Sequence, residues 1–110
     1  MGLKDVQKRV DDWVSQYKLG YFSPHECLAR IMEEVGELAR EINHSYSPKK
    51  KKITEEKKEL SDEIADTIFA VICPANSLKI DLDESFNKMM INRRQGQGQV
   101  GEEIIKYLMN

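Results

Sequence analysis

The chain has 110 residues, 33% charged, 40% hydrophobic and 7% aromatic, with 17 basic against 19 acidic side chains and a net charge of −2. That is the length of one domain, with enough chain for a modest core and too little for two. The near balance of charge excludes a nucleic-acid binder that works by bulk positive charge. No apolar run approaches the roughly 20 residues of a membrane span, so neither nucleic acid nor membrane is an expected partner. The opening Met1-Gly2-Leu3-Lys4-Asp5-Val6 has no apolar signal core, and the expected location is cytoplasmic. Cys27 and Cys73 stand far apart in the sequence, in apolar surroundings, and read as small buried hydrophobes of a reducing compartment.

The pattern is helical nearly throughout, with proline and glycine at the joints. A first helix is expected over residues 3–18, its stripe formed by Val6, Val10, Trp13, Val14 and Tyr17 at spacings of three and four. Gly20 stops it. Ser23-Pro24-His25-Glu26 is a start signal: a serine cap, proline at the first helical position, and glutamate where a capping box puts it. The second helix then runs to about residue 44, with Leu28, Ile31, Val35, Leu38 and Ile42 as its core face. A loop over 45–53 carries Pro48 and four lysines, Lys49 to Lys52, read most simply as solvated, with a phosphate-attracting rim as the alternative. Thr54 should cap a third helix reaching about residue 78, with Glu55 and Glu56 favoured in its first turn by the helix dipole. Asp81 should cap a fourth helix, with Glu84 closing a second capping box, and Leu82, Phe86 and Met89 or Met90 as its stripe. A glycine-rich break over 96–101 precedes a short amphipathic tail helix. The fold class is therefore all-α, a four-helix bundle.

The position of the carboxylates is the informative part. At about 100° per residue, Glu34 lies only about 70° from the centre of the stripe of helix two, on its flank, with Glu37 one turn on. Helix three, with its stripe of Leu60, Ile64, Thr67, Val71 and Leu78, repeats the arrangement with Glu63 and Asp66. Like charges three apart cost a few tenths of a kcal/mol on an exposed face, so the pairs are either solvated flanks or the walls of one site. Beyond Asp66 the chain reads TIFAVICPANSL, apolar all round. Phe69 and Cys73 fall on the side of Asp66, which predicts that a second chain covers that face. Four oxygen ligands without histidine or thiolate suit a hard cation, Mg²⁺ or Mn²⁺. A di-iron bundle needs two Glu-x-x-His motifs. Only Glu41-Ile42-Asn43-His44 has that spacing, and His44 falls on the solvent side.

Glu33-Glu34-Val35-Gly36-Glu37 followed by Glu63-Ile64-Ala65-Asp66 resembles the EExxE…ExxD pattern of the MazG-type nucleoside triphosphate pyrophosphohydrolases. The run LAREINHSY after the first motif, the ANSL after the second, and Lys88 with Asn92-Arg93 are similar to the family's text as well. The resemblance spans about residues 6–93. It implies a MazG-like helical domain over residues 1–95, assembling as a homodimer or homotetramer. It also implies Mg²⁺-dependent cleavage of a (d)NTP to the monophosphate and pyrophosphate, as in clearing unwanted nucleotides. Carried over by position, Glu34, Glu37, Glu63 and Asp66 bind the metal, and Glu33 helps orient or deprotonate water. Lys88, Asn92 and Arg93 face the phosphates. Trp13, with Tyr17, either belongs to the nucleobase pocket, shared with a partner subunit, or is simply core.

Two departures stand out. Pro74 interrupts helix three, two turns beyond Asp66, where relatives carry an ordinary helix former. The tail over 96–110 is atypical, QGQGQVGEEIIKYLMN after Arg94 in place of a charged ending. We read it as the product of a shifted frame, which the encoding DNA would reveal, and with it any phosphate-binding group of the usual ending is lost. The alternative to an enzyme is a helical oligomerisation or regulatory module that keeps the bundle without turnover.

Overall fold

The structure, a computed structural model, describes residues 1–46, 53–96 and 105–109. Four helices make up the described core: α1 (Leu3–Val14), α2 (Pro24–Ser45), α3 (Ile53–Ser77) and α4 (Leu82–Arg94). Residues 105–109 form a further short helical segment. The all-α expectation holds. The lysine loop Lys49 to Lys52 and most of the glycine-rich break, over 97–101, lie outside the described residues.

Local chemistry sets the helix ends. The hydroxyl of Ser23 accepts from the amide of Glu26, and the carboxylate of Glu26 accepts from the amide of Ser23, 3.1 Å away. This is the expected capping box, with Pro24 at the first position. Asp81 accepts from the amides of Asp83 and Glu84 at the start of α4. The amide of Glu84 first, and then Lys4, hold the Asp81 carboxyl below its usual range. Asp83 instead serves α1, accepting from the amides of Leu3 (2.9 Å) and Lys4 (3.3 Å). Helix α1 ends earlier than its stripe predicts, at Val14, and the chain winds through turns to Gly20 at φ +63°. Helix α3 starts at Ile53, so the expected cap Thr54 is already helical. It runs through Pro74 to Ser77 and closes with the amide of Ile80 donating to the carbonyl of Ala75.

Helices α2 and α3 form the main pair, α1 packs on α3, and α4 packs on α1. Val10, Val14 and Ile72 are the apolar centre, flanked by Val6, Tyr21, Cys73 and Leu82. A buried amide ties three helices together. Gln7 is 8% exposed. Its Nε2 donates to Asn76 Oδ1 (3.0 Å) and to the carbonyl of Ile80 (2.8 Å), and its Oε1 accepts from the amide of Leu82 (3.0 Å). Asn76 Nδ2 donates to the Tyr21 hydroxyl, which donates in turn to Asp11.

The expected core faces of α2 and α3 hold only in part: Ile31 and Leu38 of α2 and Leu60 and Thr67 of α3 are half-buried. Leu28, Val35 and Ile42 of α2 are about half exposed, and so are Ile64, Val71 and Leu78 of α3. The fully buried residues of α2 are Cys27, Glu34 and Ser45, the first two each one residue before Leu28 and Val35 and so about 100° round the helix from them. Thr67 of α3 reaches the carbonyl of Glu34 across the α2–α3 seam, while the large aliphatics Leu28, Val35, Ile64 and Val71 stay exposed. Trp13 and Tyr17, one reading of which placed them in the core, are 51% and 54% exposed.

Candidate functional site

This packing brings carboxylates to the α2–α3 seam. Glu34 and Glu37 of α2 and Glu63 of α3 each place an oxygen within 4.8 Å of the others. Glu34 is only 4% exposed, and Glu63 is half-buried. Thr67 fixes the seam from below: its hydroxyl donates to the carbonyl of Glu63 at 2.8 Å and stands 3.5 Å from that of Glu34.

The crowding is felt at Glu63. Burial pushes the Glu63 carboxyl up, and the neighbouring charges of Glu37 and Asp66, a hydrogen bond with Glu37, and Glu34 push it further. Yet Glu34 Oε2 and Glu63 Oε2 are buried with no hydrogen-bond partner. Buried carboxylate oxygens without donors are costly, and a cation removes that cost. All-oxygen donors of this kind fit Mg²⁺ or Mn²⁺.

Asp66, the fourth expected ligand, is exposed and lies outside the three-oxygen group, though close enough to act on Glu63. Glu33 points away to solvent, 68% exposed, with Oε2 3.7 Å from Arg30. Arg30 is the residue that the sequence reading passed over. One nitrogen lies 3.2 Å from Glu34 Oε1. The signal was present in the i, i+3 and i, i+4 spacing from Arg30 to Glu33 and Glu34.

Beside the carboxylates lies a pocket of about 480 Å³, lined chiefly by Trp13, Tyr17, Phe22, Arg30, Phe69 and Cys73. Trp13 makes an edge contact with Phe69, centroids 5.7 Å apart at 81°, and a tilted one with Tyr17 at 5.0 Å. The rings thus form an open aromatic wall. Cys27 is buried and Cys73 half-buried, both unbonded. Burial pushes both thiols up, and Cys73 is raised further by the nearness of Cys27, which the sequence separation concealed. Lys88, Asn92 and Arg93 sit on α4, with Lys88 and Arg93 exposed and Asn92 half-buried. None of them lines this pocket.

The family model of the MazG nucleotide pyrophosphohydrolase domain matches residues 22–96. The uncharacterized protein YpjD of Bacillus subtilis (strain 168) is 50% identical over 88 residues, 80% of this chain and 79% of that protein. The crystal structure of a Bacillus-conserved MazG protein, a nucleotide pyrophosphohydrolase, superposes with a TM-score of 0.73 at 43% identity, covering 84% of this chain and 88% of that one. The crystal structure of YpjD from Bacillus subtilis superposes at 0.76 with 48% identity, covering 84% and 94%.

Proposed function

The chain belongs to the MazG nucleotide pyrophosphohydrolase family, and from that premise we propose that it cleaves a (d)NTP to the monophosphate and pyrophosphate with Mg²⁺, Mn²⁺ substituting. The observation that carries this reading is the pair of buried, unpartnered oxygens on Glu34 and Glu63, set beside an aromatic pocket. Glu34, Glu37 and Glu63 hold the cation, with Asp66 completing the set from the rim. A bound divalent cation supplies neutralisation of phosphate charge and a lower pKa for water.

Glu33, exposed and only loosely paired with Arg30 at 3.7 Å, orients the attacking water or accepts its proton. Trp13, with Phe69 and Tyr17, stacks the base. Lys88, Asn92 and Arg93 steady the negative charge that develops on the phosphates. The carboxylate of Glu63, raised by burial and its neighbours, must lose its proton before it serves as a ligand.

The exposed apolar surface of α2 and α3, with Leu28, Val35, Ile64 and Val71 each about half exposed, supports assembly as a homodimer or homotetramer. No helix among the described residues is long and apolar enough to cross a membrane, in keeping with a cytoplasmic enzyme that clears unwanted nucleotides. The same apolar surface favours the second reading, an oligomerisation module without turnover. A panel of nucleoside triphosphates assayed for pyrophosphate, with and without Mg²⁺, separates the two. Mg²⁺-dependent pyrophosphate release that disappears in Glu63→Gln supports the enzyme. No release from any nucleotide supports the module.

A further inference from the structure

We propose that Arg30 is the group with which the aromatic pocket reads a nucleotide's phosphate, a substrate-binding role that rests on the function proposed above. Among the described residues lining the pocket it is the one cation; the rest of the wall is aromatic, aliphatic, glycine or thiol. An uncharged base finds rings there, and an anion finds Arg30.

The geometry places the guanidinium at the junction. It lines the pocket on one side and on the other lies 3.2 Å from Glu34 Oε1 and 3.7 Å from Glu33 Oε2. A base stacked against Trp13 and Phe69 therefore has its phosphate end directed past Arg30 toward the carboxylates. Those carboxylates alone would repel a phosphate, so a fixed positive charge is needed where the chain of negative groups begins. Guanidinium carries five N–H donors in a planar fork. The two glutamates engage two of its nitrogens without exhausting them. They also hold the arm in place, so that less freedom is lost when a second acceptor arrives. The arginine side chain is 58% exposed, which leaves it within reach of a ligand. Lys88, Asn92 and Arg93, assigned to the phosphates by resemblance, lie on α4 and do not line this wall. Arg30 adds a contact from within the pocket itself.

The competing role is structural: Arg30 serves only to pair with Glu34. The two roles differ in what they discriminate. Trp13 is the single tryptophan and lines the pocket, so its fluorescence reports occupancy directly. In millimolar Mg²⁺, each nucleoside monophosphate and its uncharged nucleoside are titrated against the parent, Arg30→Met and Arg30→Lys. The monophosphate is not consumed, so binding alone is read. Arg30→Met is expected to weaken monophosphate binding about tenfold, the lower end for a charge-assisted hydrogen bond because the group is half exposed. Nucleoside binding should be unchanged. Arg30→Lys should recover part of the loss, keeping the charge but not the fork. Equal weakening of nucleotide and nucleoside, or no change in either, overturns the phosphate-reading role while leaving the enzymatic reading in place. A parent that binds neither monophosphate nor nucleoside overturns both. Circular dichroism of each variant shows whether the fold is kept, and Arg30→Lys carries the test if Arg30→Met does not fold.

Discussion

Replacing Gln7 with leucine should lower stability by about 2 kcal/mol, because the side chain makes three hydrogen bonds from a buried position. Two reach backbone groups of the α3–α4 turn, the carbonyl of Ile80 and the amide of Leu82, and one reaches Asn76. Each bond contributes about 1 kcal/mol net, and the stranded groups add a desolvation penalty. Ile80 is 42% exposed, so water recovers part of that penalty, and the added apolar burial of leucine offsets a little more. For a domain of this size about 2 kcal/mol is a fall in Tm of about 8–15 °C. Thermal and urea unfolding followed by circular dichroism read it. Gln7→Glu should cost at least as much, because it keeps the acceptor for Leu82 but turns a buried, acceptor-only carboxylate oxygen toward Asn76 Oδ1 and the carbonyl of Ile80. Tyr21→Phe removes the hydroxyl that joins Asn76 to Asp11 and should cost about 1 kcal/mol. The Gln7→Leu and Tyr21→Phe effects should not add, since both act through Asn76. A Gln7→Leu protein that melts within about 2 °C of the parent would refute the claim that this network locks α1, α3 and α4 together.

Glu63→Gln should make the metal-free protein more stable at neutral pH. The carboxyl of Glu63 is raised from its ordinary 4.5 by burial first and by Glu37, Asp66 and Glu34 after it. The native state therefore binds more protons between 4.5 and the raised value. Stability is fully present below the ordinary value and is lost as pH rises through the raised one. Denaturation across pH should show the gap between parent and variant closing toward pH 4.5. Millimolar Mn²⁺ should raise the Tm of the parent by mass action, do much less for Glu34→Gln and Glu63→Gln, and retain more of its effect in Asp66→Asn, whose side chain lies outside the three-oxygen group. Equal shifts in all four proteins would remove the cluster from the metal site. Val71→Asp sets a charge among the exposed aliphatics of α3. It should shift the sedimenting species toward monomer, and a parent that already sediments as a monomer at micromolar concentration would contradict the assembly.

The ends of α2 and α4 were legible because they are written in single residues, Ser23, Pro24 and Glu26 at one and Asp81 at the other. The pairing face was legible only in part. Periodicity finds the most apolar line of a helix, here Leu28, Val35 and Ile42, and assumes that the chain's own core covers it. In α2 the fully buried residues are instead Cys27, Glu34 and Ser45. The spacing marked Glu34, Glu37, Glu63 and Asp66 as candidates for one site, and the structure brings the first three together. It could not foretell that Asp66 stands at the rim, because a flank is known to about a turn and ligand distance is not. Trp13 and Tyr17 follow the core spacing and yet line an open pocket, since α1 ends at Val14 and the turns to Gly20 carry Tyr17 away from the helix axis. Arg30 escaped notice because an i, i+4 ion pair on a helix is ordinarily a surface ornament; only the burial of Glu34 gives it weight.

The position of the bond that breaks is the most direct test of the account. Products formed by the parent from a nucleoside triphosphate in Mg²⁺ can be identified by phosphorus NMR across the nucleotide panel. The proposed site, in which Glu34, Glu37 and Glu63 would hold the cation beside a pocket for the base, predicts equal amounts of nucleoside monophosphate and pyrophosphate, and no products from Glu63→Gln. Nucleoside diphosphate with orthophosphate, or no product from the parent with any nucleotide, would contradict it.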